Sequence, residues 1–167
     1  MKCLSLWQPW ASLVGRGKSI ETRSWDTPYR GLLAIHATKK PTGKKLFDLE
    51  TMCAELEEPL EHAGYADFEE LPFGCVLAVA NLVDCRSTGQ RYSPHCSEND
   101  RFFGAGYGDA EWVRQLYDEH VRGCSEEFLL GDYNPGRFGW FLDDIRPWLN
   151  PFPTAERKDF GISRTIC

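Results

Sequence analysis

Three charged residues near the start of the chain, Lys18, Glu21 and Arg23, have the types and spacing of a small anion-binding cluster. Residues two apart in a β-strand share a face, so Glu21 and Arg23 are predicted to point the same way. Lys18 precedes the strand at a turn, from which it can reach the same cleft. A carboxylate flanked by two cations stays ionised, so the cluster could hold a phosphate while Glu21 accepts a hydrogen bond from a base edge. The alternative is a surface ion-pair cluster, which contributes little free energy.

Four aromatic residues, Trp7, Trp10, Trp25 and Tyr29, lie in the same first quarter of the chain. Aromatic faces interleaved with Lys and Arg suit the stacking of unpaired bases beside phosphate contacts. Large aromatic side chains also fill protein cores, and at least two of these four are expected there.

The formal net charge of the 167 residues is −6, but it is unevenly distributed. Residues 1–49 hold nine Lys and Arg against three acidic residues, a balance of +6, and the remainder carries −12. Such an asymmetry predicts a local anion-binding face. Eight acidic residues and no Lys or Arg occur between positions 50 and 70. We interpret that stretch as a solvated face, and a protein-interaction adaptor is the alternative.

The pattern of apolar residues, glycines and prolines predicts an α+β protein. Strand patterns cover residues 2–6, 19–25, 32–37, 73–85 and 138–142, the last extended by Ile145 and Trp148 before a segment with Pro147, Pro151 and Pro153. A short helix is expected after Pro9, ending at Gly15, and further helices are expected over residues 43–63 and 111–122. We expect one domain over residues 1–167, with a loop or helix insertion at about residues 86–135.

Several segments together resemble the ASCH domain family. They are Leu4-Ser5-Leu6-Trp7-Gln8-Pro9-Trp10-Ala11, Lys18-x-x-Glu21-x-Arg23-Ser24-Trp25, Tyr29-Arg30-Gly31, Ile35-His36-Ala37, Phe138-Gly139-Trp140 and Asp144-Ile145-Arg146-Pro147. The resemblance covers residues 2–38, 72–85 and 136–149. It implies a PUA-like fold, a small and mostly antiparallel β-barrel with flanking helices.

The same resemblance implies that the protein binds RNA or a modified nucleoside in a cleft lined by Lys18, Glu21 and Arg23. We expect neighbouring residues to contribute to that surface, namely Arg16, Ser24, Trp25, Trp10, Tyr29 and Arg30. Arg16 stands where the family usually has Gly, so it could add a phosphate contact.

One branch of the family resembles an N(4)-acetylcytidine amidohydrolase, with a Thr nucleophile three residues after the Lys. Glu21 occupies that position here, and a carboxylate cannot simply replace a hydroxyl nucleophile. Thr22 and Ser24 supply hydroxyls, but strand alternation places them opposite Glu21. We therefore do not transfer that mechanism to this chain. The alternative function is a hydrolase of a modified base, such as an N(4)-acylated cytidine, or of RNA, in which Lys18 and Glu21 would supply acid–base or electrostatic help and a hydroxyl from Thr22, Ser24 or residues 86–110 could assist.

No cofactor or metal ion is expected. The seven cysteines lack a C-x-x-C pair, and the spacing of Cys85, His95, Cys96 and Cys124 matches no zinc motif. Gly104–Gly108 lacks the Lys-Ser/Thr of a phosphate loop, and His36 is expected to be a hydrogen-bonded core residue. The absence of a long apolar run predicts no membrane partner, and we expect a cytoplasmic location.

Overall fold

The computed structural model describes residues 1–90, 108–153 and 165–166, with side chains up to Trp148. The strands are β1 (Lys2–Leu6), β2 (Ile20–Arg23), β3 (Gly31–Ala37), β4 (Cys75–Ser87), β5 (Phe138–Pro153) and β6 (Thr165–Ile166). The helices are α1 (Trp10–Gly15), α2 (Lys44–Glu55), α3 (Glu57–His62) and α4 (Glu111–Val121). Within the described residues, short 3₁₀ turns cover Phe68–Glu70 and Glu127–Leu130.

The strands form one sheet in the order β2-β5-β4-β3-β1-β6. It is a mixed sheet, because β1 runs parallel to β3 and to β6, whereas β2 runs antiparallel to β5. With its helices, this sheet confirms the α+β class expected from the sequence. The predicted insertion lies partly outside the described residues, which omit 91–107.

The chain divides into two compact units. The first contains residues 1–18, 31–81 and 143 onward, and the second contains residues 19–30 and 82–142. Fully buried residues of the first unit include Leu4, Leu6, Val14, Leu33, Ile35 and Val76. The Gln8 side chain holds the start of α1, since its amide donates to the Pro72 carbonyl at 2.6 Å and its oxygen accepts from the Ser12 N–H at 3.1 Å.

The core of the second unit is an aromatic cluster around α4. Ile20, Val113, Leu116 and Tyr133 are buried there, and Trp112, Phe128 and Phe141 pack against them. The Trp112 ring lies edge-on to Tyr133 and to Phe141, with ring centroids 5.9 and 5.2 Å away. Its indole N–H donates to the Ser87 carbonyl at 2.8 Å, so this ring is held firmly in place.

Two sequence predictions need correction. The helix expected over residues 43–63 is broken at Leu56 into α2 and α3, because Pro59 has no N–H and its ring would clash with the carbonyl four residues earlier. The segment with Pro147, Pro151 and Pro153 does not follow the last strand but lies inside β5. The register of β2 on β5 covers only Phe138–Phe141, so the later prolines do not need to donate hydrogen bonds to β2.

Gly139 is required by close packing in the second unit. A Cβ at this position would lie 2.6 Å from Cη2 of Trp112 and 3.3 Å from Cγ2 of Ile20. We expect Gly139→Ala to lower the free energy of unfolding by about 1–3 kcal/mol, because an overpacked core must distort. Urea denaturation measures the change.

The matched control is Gly15→Ala in α1, where a Cβ would meet only Cβ of Leu77 at 3.8 Å, an ordinary contact. This control should retain or gain stability, since Ala is favoured over Gly in a helix. Equal stability of the two variants would contradict the packing argument.

Candidate nucleic-acid interface

The carboxylate of Glu127 fixes the start of β2. One of its oxygens accepts from the Ser19 N–H at 2.8 Å and from the Ser19 hydroxyl at 3.1 Å, and the other accepts from the Ile20 N–H at 3.0 Å. The Ser19 carbonyl in turn accepts from the Leu142 N–H at 2.7 Å. These bonds set the register in which Glu21 lies opposite Trp140 and Arg23 opposite Phe138.

Glu21 and Arg23 lie on the same side of β2, as strand alternation predicts. An oxygen of Glu21 is 3.5 Å from a guanidinium nitrogen of Arg23. Glu21 is only 6% exposed, and a buried carboxylate is tolerated when a cation pairs with it. The pair is therefore a largely buried one rather than a fully solvated surface cluster.

The Arg23 guanidinium also lies over an aromatic ring. Its central carbon is 5.3 Å from the centroid of Trp25, within the range of a cation–π contact. Trp25 meets the fully buried Trp140 edge-on with ring centroids 5.9 Å apart, and the Trp140 indole N–H donates to the Trp25 carbonyl at 3.3 Å. A carboxylate, a guanidinium and a half-buried indole are thus brought together in the second unit.

Tyr133 is a further group within electrostatic reach of Glu21. Burial raises the pKa of the Tyr133 phenol well above its usual value, and the negative charges of Glu127 and Glu21 raise it further. The phenol donates to the backbone carbonyl of Glu127 at 3.1 Å. It therefore remains protonated at neutral pH and acts as a hydrogen-bond donor.

Thr22 and Ser24 differ in their surroundings. Thr22 is buried, and its hydroxyl oxygen accepts from the Asp132 N–H at 3.0 Å. Asp132 also pairs with Arg137 at 3.2 Å. Ser24 is exposed. The Thr22 hydroxyl thus supports the loop that follows the Glu127–Leu130 turn.

Three of the predicted site residues belong to the first unit. Lys18 is 4% exposed, and its backbone N–H donates to the Leu13 carbonyl in α1. Arg16 follows α1 and is exposed, with its guanidinium carbon 5.7 Å from the centroid of the Tyr65 ring. Trp10 is the half-buried first residue of α1.

Tyr29 and Arg30 lie in the second unit, between β2 and β3. The Arg30 guanidinium donates to the carbonyls of Thr27 and Tyr29 at 2.9 and 2.8 Å and lies 3.3 Å from Asp84. Hydrogen bonds from Arg86 and from the Cys85 N–H lower the pKa of Asp84 below its usual value, and Arg30 adds to this effect. Arg30 therefore stabilises the turn that leads to β3, because its guanidinium makes these contacts with other residues of the protein.

Trp140 and Glu127 are two residues of this arrangement that the sequence analysis did not select. The sequence contains Trp140 as part of the Phe-Gly-Trp strand motif, but it does not indicate that Trp140 packs against Trp25. Glu127 gave no signal in the sequence, because it is 108 positions from its Ser19 partner and outside the segments that carry the resemblance.

His36 and two of the cysteines, the next candidate groups, are buried within the packed structure. His36 is buried, with its Nδ1 3.0 Å from the Ser5 hydroxyl. Burial raises the pKa of the Cys53 thiol to about 11 and also raises that of Cys75. Within residues 1–90 and 108–148, no three His, Cys, Asp or Glu side chains form a potential metal site. His95, Cys96 and residues 104–107 lie outside the described residues.

None of the helices in the described part of the chain is long and apolar enough to cross a membrane.

Comparison with known proteins identifies related sequences. The profile of the ASCH domain matches residues 4–128 of this chain. Activating signal cointegrator 1 from Homo sapiens is 43% identical over 91 residues, and its Mus musculus counterpart is 42% identical over the same length. Each alignment covers 53% of this chain but only 15% of the relative, so this chain matches a small part of those proteins.

We expect Glu127→Ala to destabilise the protein by about 1–3 kcal/mol, because it leaves the N–H groups of Ser19 and Ile20 without their acceptor. Urea denaturation measures the loss. Glu119→Ala on the exposed side of α4 removes the same charge and should change stability by no more than about 0.5 kcal/mol. If both variants unfold at the same urea concentration, Glu127 does not anchor β2.

Proposed function

Because the chain belongs to the ASCH domain family, we propose that it binds single-stranded RNA or a modified nucleoside through the segment from Lys18 to Trp25. The observation that carries the proposal is the Glu21–Arg23–Trp25 arrangement, in which a buried carboxylate, a guanidinium and an indole are brought together. Each of the three has a distinct chemical capacity toward a nucleotide.

Glu21 would read a base edge. An ionised carboxylate only accepts hydrogen bonds, so it selects bases that present an amino group, such as the N4 amine of cytosine. Its burial strengthens this selectivity, because water competes poorly for a group that is 6% exposed.

Arg23 would contact a phosphate, and Trp25 would stack on a base. The guanidinium presents a planar fork of donors that matches phosphate oxygens. Trp25 is half-buried, its carbonyl accepts from the Trp140 indole, and its ring contacts Trp140 edge-on, so these contacts would restrict its ring before a ligand arrives. Preorganisation of this kind reduces the entropy that binding would otherwise cost.

Lys18 enters the proposal through the family motif and through its burial. A lysine that is 4% exposed at neutral pH is costly unless anions or polar groups compensate it. We expect it to add positive charge for a phosphate, and Arg16 and Trp10 are expected to contribute further contacts with the ligand.

The binding test uses a fluorescein-labelled single-stranded RNA oligonucleotide of mixed sequence and fluorescence anisotropy. Arg23→Ala and Lys18→Ala should each weaken binding about tenfold, since each removes a charge-assisted contact. Affinity of the wild type should fall as salt rises. Arg23→Lys should show an intermediate loss, because it keeps the charge but not the planar fork.

The matched control is Arg114→Ala, which removes one exposed cation from α4. It should bind as tightly as the wild type. Thermal melting confirms that each variant is folded, which matters for the buried Lys18. If the Lys18→Ala/Arg23→Ala double variant is folded and binds RNA like the wild type, the proposed site is wrong.

Hydrolysis of an acylated base is the alternative use of the same residues, and Glu21→Gln separates the two functions. The wild type is incubated with a panel of N(4)-acylated cytidines and with RNA, and products are detected by mass spectrometry. A binding protein leaves every substrate intact. Turnover that is lost in Glu21→Gln while ligand binding persists would establish a hydrolase and overturn the binding-only proposal.

A further inference from the structure

A groove of about 390 Å³ opens in the first unit, and the proposed site does not use it. Residues that line it include Trp7, Thr38, Lys39, Lys40, Lys45 and Phe73. Trp7 follows β1, residues 38–40 follow β3, and Lys45 lies in the first turn of α2. Three separate parts of the chain therefore form its wall.

The groove is positively charged. Its described lining contains three lysines and no Asp or Glu. Lys40 is paired with Glu69 at 2.7 Å, but in the described part of the chain no carboxylate lies within ion-pair distance of Lys39 or Lys45. Both of these lysines are exposed, so their charges face the groove or solvent. An anionic ligand would meet at least two cations that no carboxylate of the described residues neutralises.

Trp7 forms an aromatic, solvent-accessible wall of the groove. Its side chain is 55% exposed, although exposing a large apolar ring to water is unfavourable. The Lys45 ammonium lies 5.2 Å from the centroid of its ring. A cation beside an accessible indole is the arrangement that suits a nucleotide, whose base stacks while its phosphate meets the charge.

The start of α2 adds positive potential to the same groove. Gly43 precedes the helix without a side-chain cap, and the first turn carries Lys44 and Lys45 with no acidic residue. The first N–H groups of a helix lack intrahelical partners and carry partial positive charge. Lysines at this end are unfavourable in the isolated protein, and a bound anion would relieve that repulsion.

We infer that this groove is a second contact for single-stranded nucleic acid, in which an unpaired base stacks on Trp7 and flanking phosphates meet Lys39 and Lys45. The inference rests on the proposed RNA-binding function and extends it to a surface of the first unit. A paired base in a duplex is already stacked on its neighbours, so the exposed indole favours an unpaired strand.

The test uses the same labelled single-stranded RNA and fluorescence anisotropy. Trp7→Ala should weaken binding about tenfold, as expected for the loss of one stacked base. Lys39→Ala/Lys45→Ala should also weaken it and should lower the slope of log affinity against log salt by about 1.4, for two phosphate contacts on a single strand. The matched control is Arg114→Ala/Arg122→Ala, which removes two exposed cations and should change neither quantity.

Cross-linking makes failure of this inference distinguishable from failure of the proposed site. RNA containing 4-thiouridine is irradiated with the wild-type protein, and cross-linked peptides are identified by mass spectrometry. A cross-link at Trp7 or within residues 38–45 supports the groove even if Arg23→Ala binds normally. Cross-links confined to residues 19–30, with full affinity in the groove variants, would overturn it.

A comparison of ligands tests whether nucleic acid is the right class. The groove variants are assayed with poly-L-glutamate and with vesicles containing phosphatidylserine as well as with RNA. Loss of binding to RNA with little change for the other two polyanions supports the inference. Equal losses for all three would show a general polyanion surface, and the nucleic-acid inference would be wrong.

Discussion

The hydrogen bonds that Glu127 makes to the start of β2 are the contacts on which the candidate site depends. β2 contains only four residues, Ile20–Arg23, and a strand this short has few ladder bonds with which to define its own register. The Glu127 carboxylate supplies acceptors for Ser19 and Ile20 just before Glu21. A slip of one residue would send Glu21 and Arg23 to the opposite face, so this anchor determines which face carries the charged pair.

The burial of Glu21 follows from that register and has an energetic cost. Removing a carboxylate from water is unfavourable, and an ion pair repays the cost only when its geometry is good. The 3.5 Å separation from Arg23 is longer than a short charge-assisted hydrogen bond. Arg23 meanwhile contacts the Trp25 ring. The guanidinium thus has both a carboxylate and an indole as neighbours.

The sequence predicted local features well where the physical rule involved is itself local. Strand alternation placed Glu21 and Arg23 on one face, and the bounds of β1 at Lys2–Leu6 followed from the apolar pattern. Pro59 is also a local signal, but the prediction of one helix over residues 43–63 did not use it, and the helix breaks at Leu56, three residues before this proline. The same chemistry misled at Pro147, because the effect of proline in a strand depends on whether a partner needs its N–H, and pairing is not a local property.

Long-range partners were beyond the sequence analysis for a related reason. Nothing in the residues around Ser19 indicates that Glu127 is their acceptor, and nothing around Trp25 indicates that Trp140 lies beneath it. Both contacts arise when β2 pairs with β5 and the Glu127–Leu130 turn approaches. Charge counting had the same limitation, since a sum over residues 1–49 does not show which cations have acidic neighbours.

The structure separates the members of that basic segment by their surroundings. Arg30 is held by Asp84 and two carbonyls, and Lys40 is held by Glu69, so these cations are largely neutralised within the protein. Arg23 has a carboxylate and an aromatic ring as neighbours, and Lys45 has an exposed aromatic ring. A net charge of −6 repels a polyanion at long range and is screened over about 10 Å at moderate salt. Within that distance, the local surroundings of each cation, rather than the net charge, decide where an anionic strand can bind.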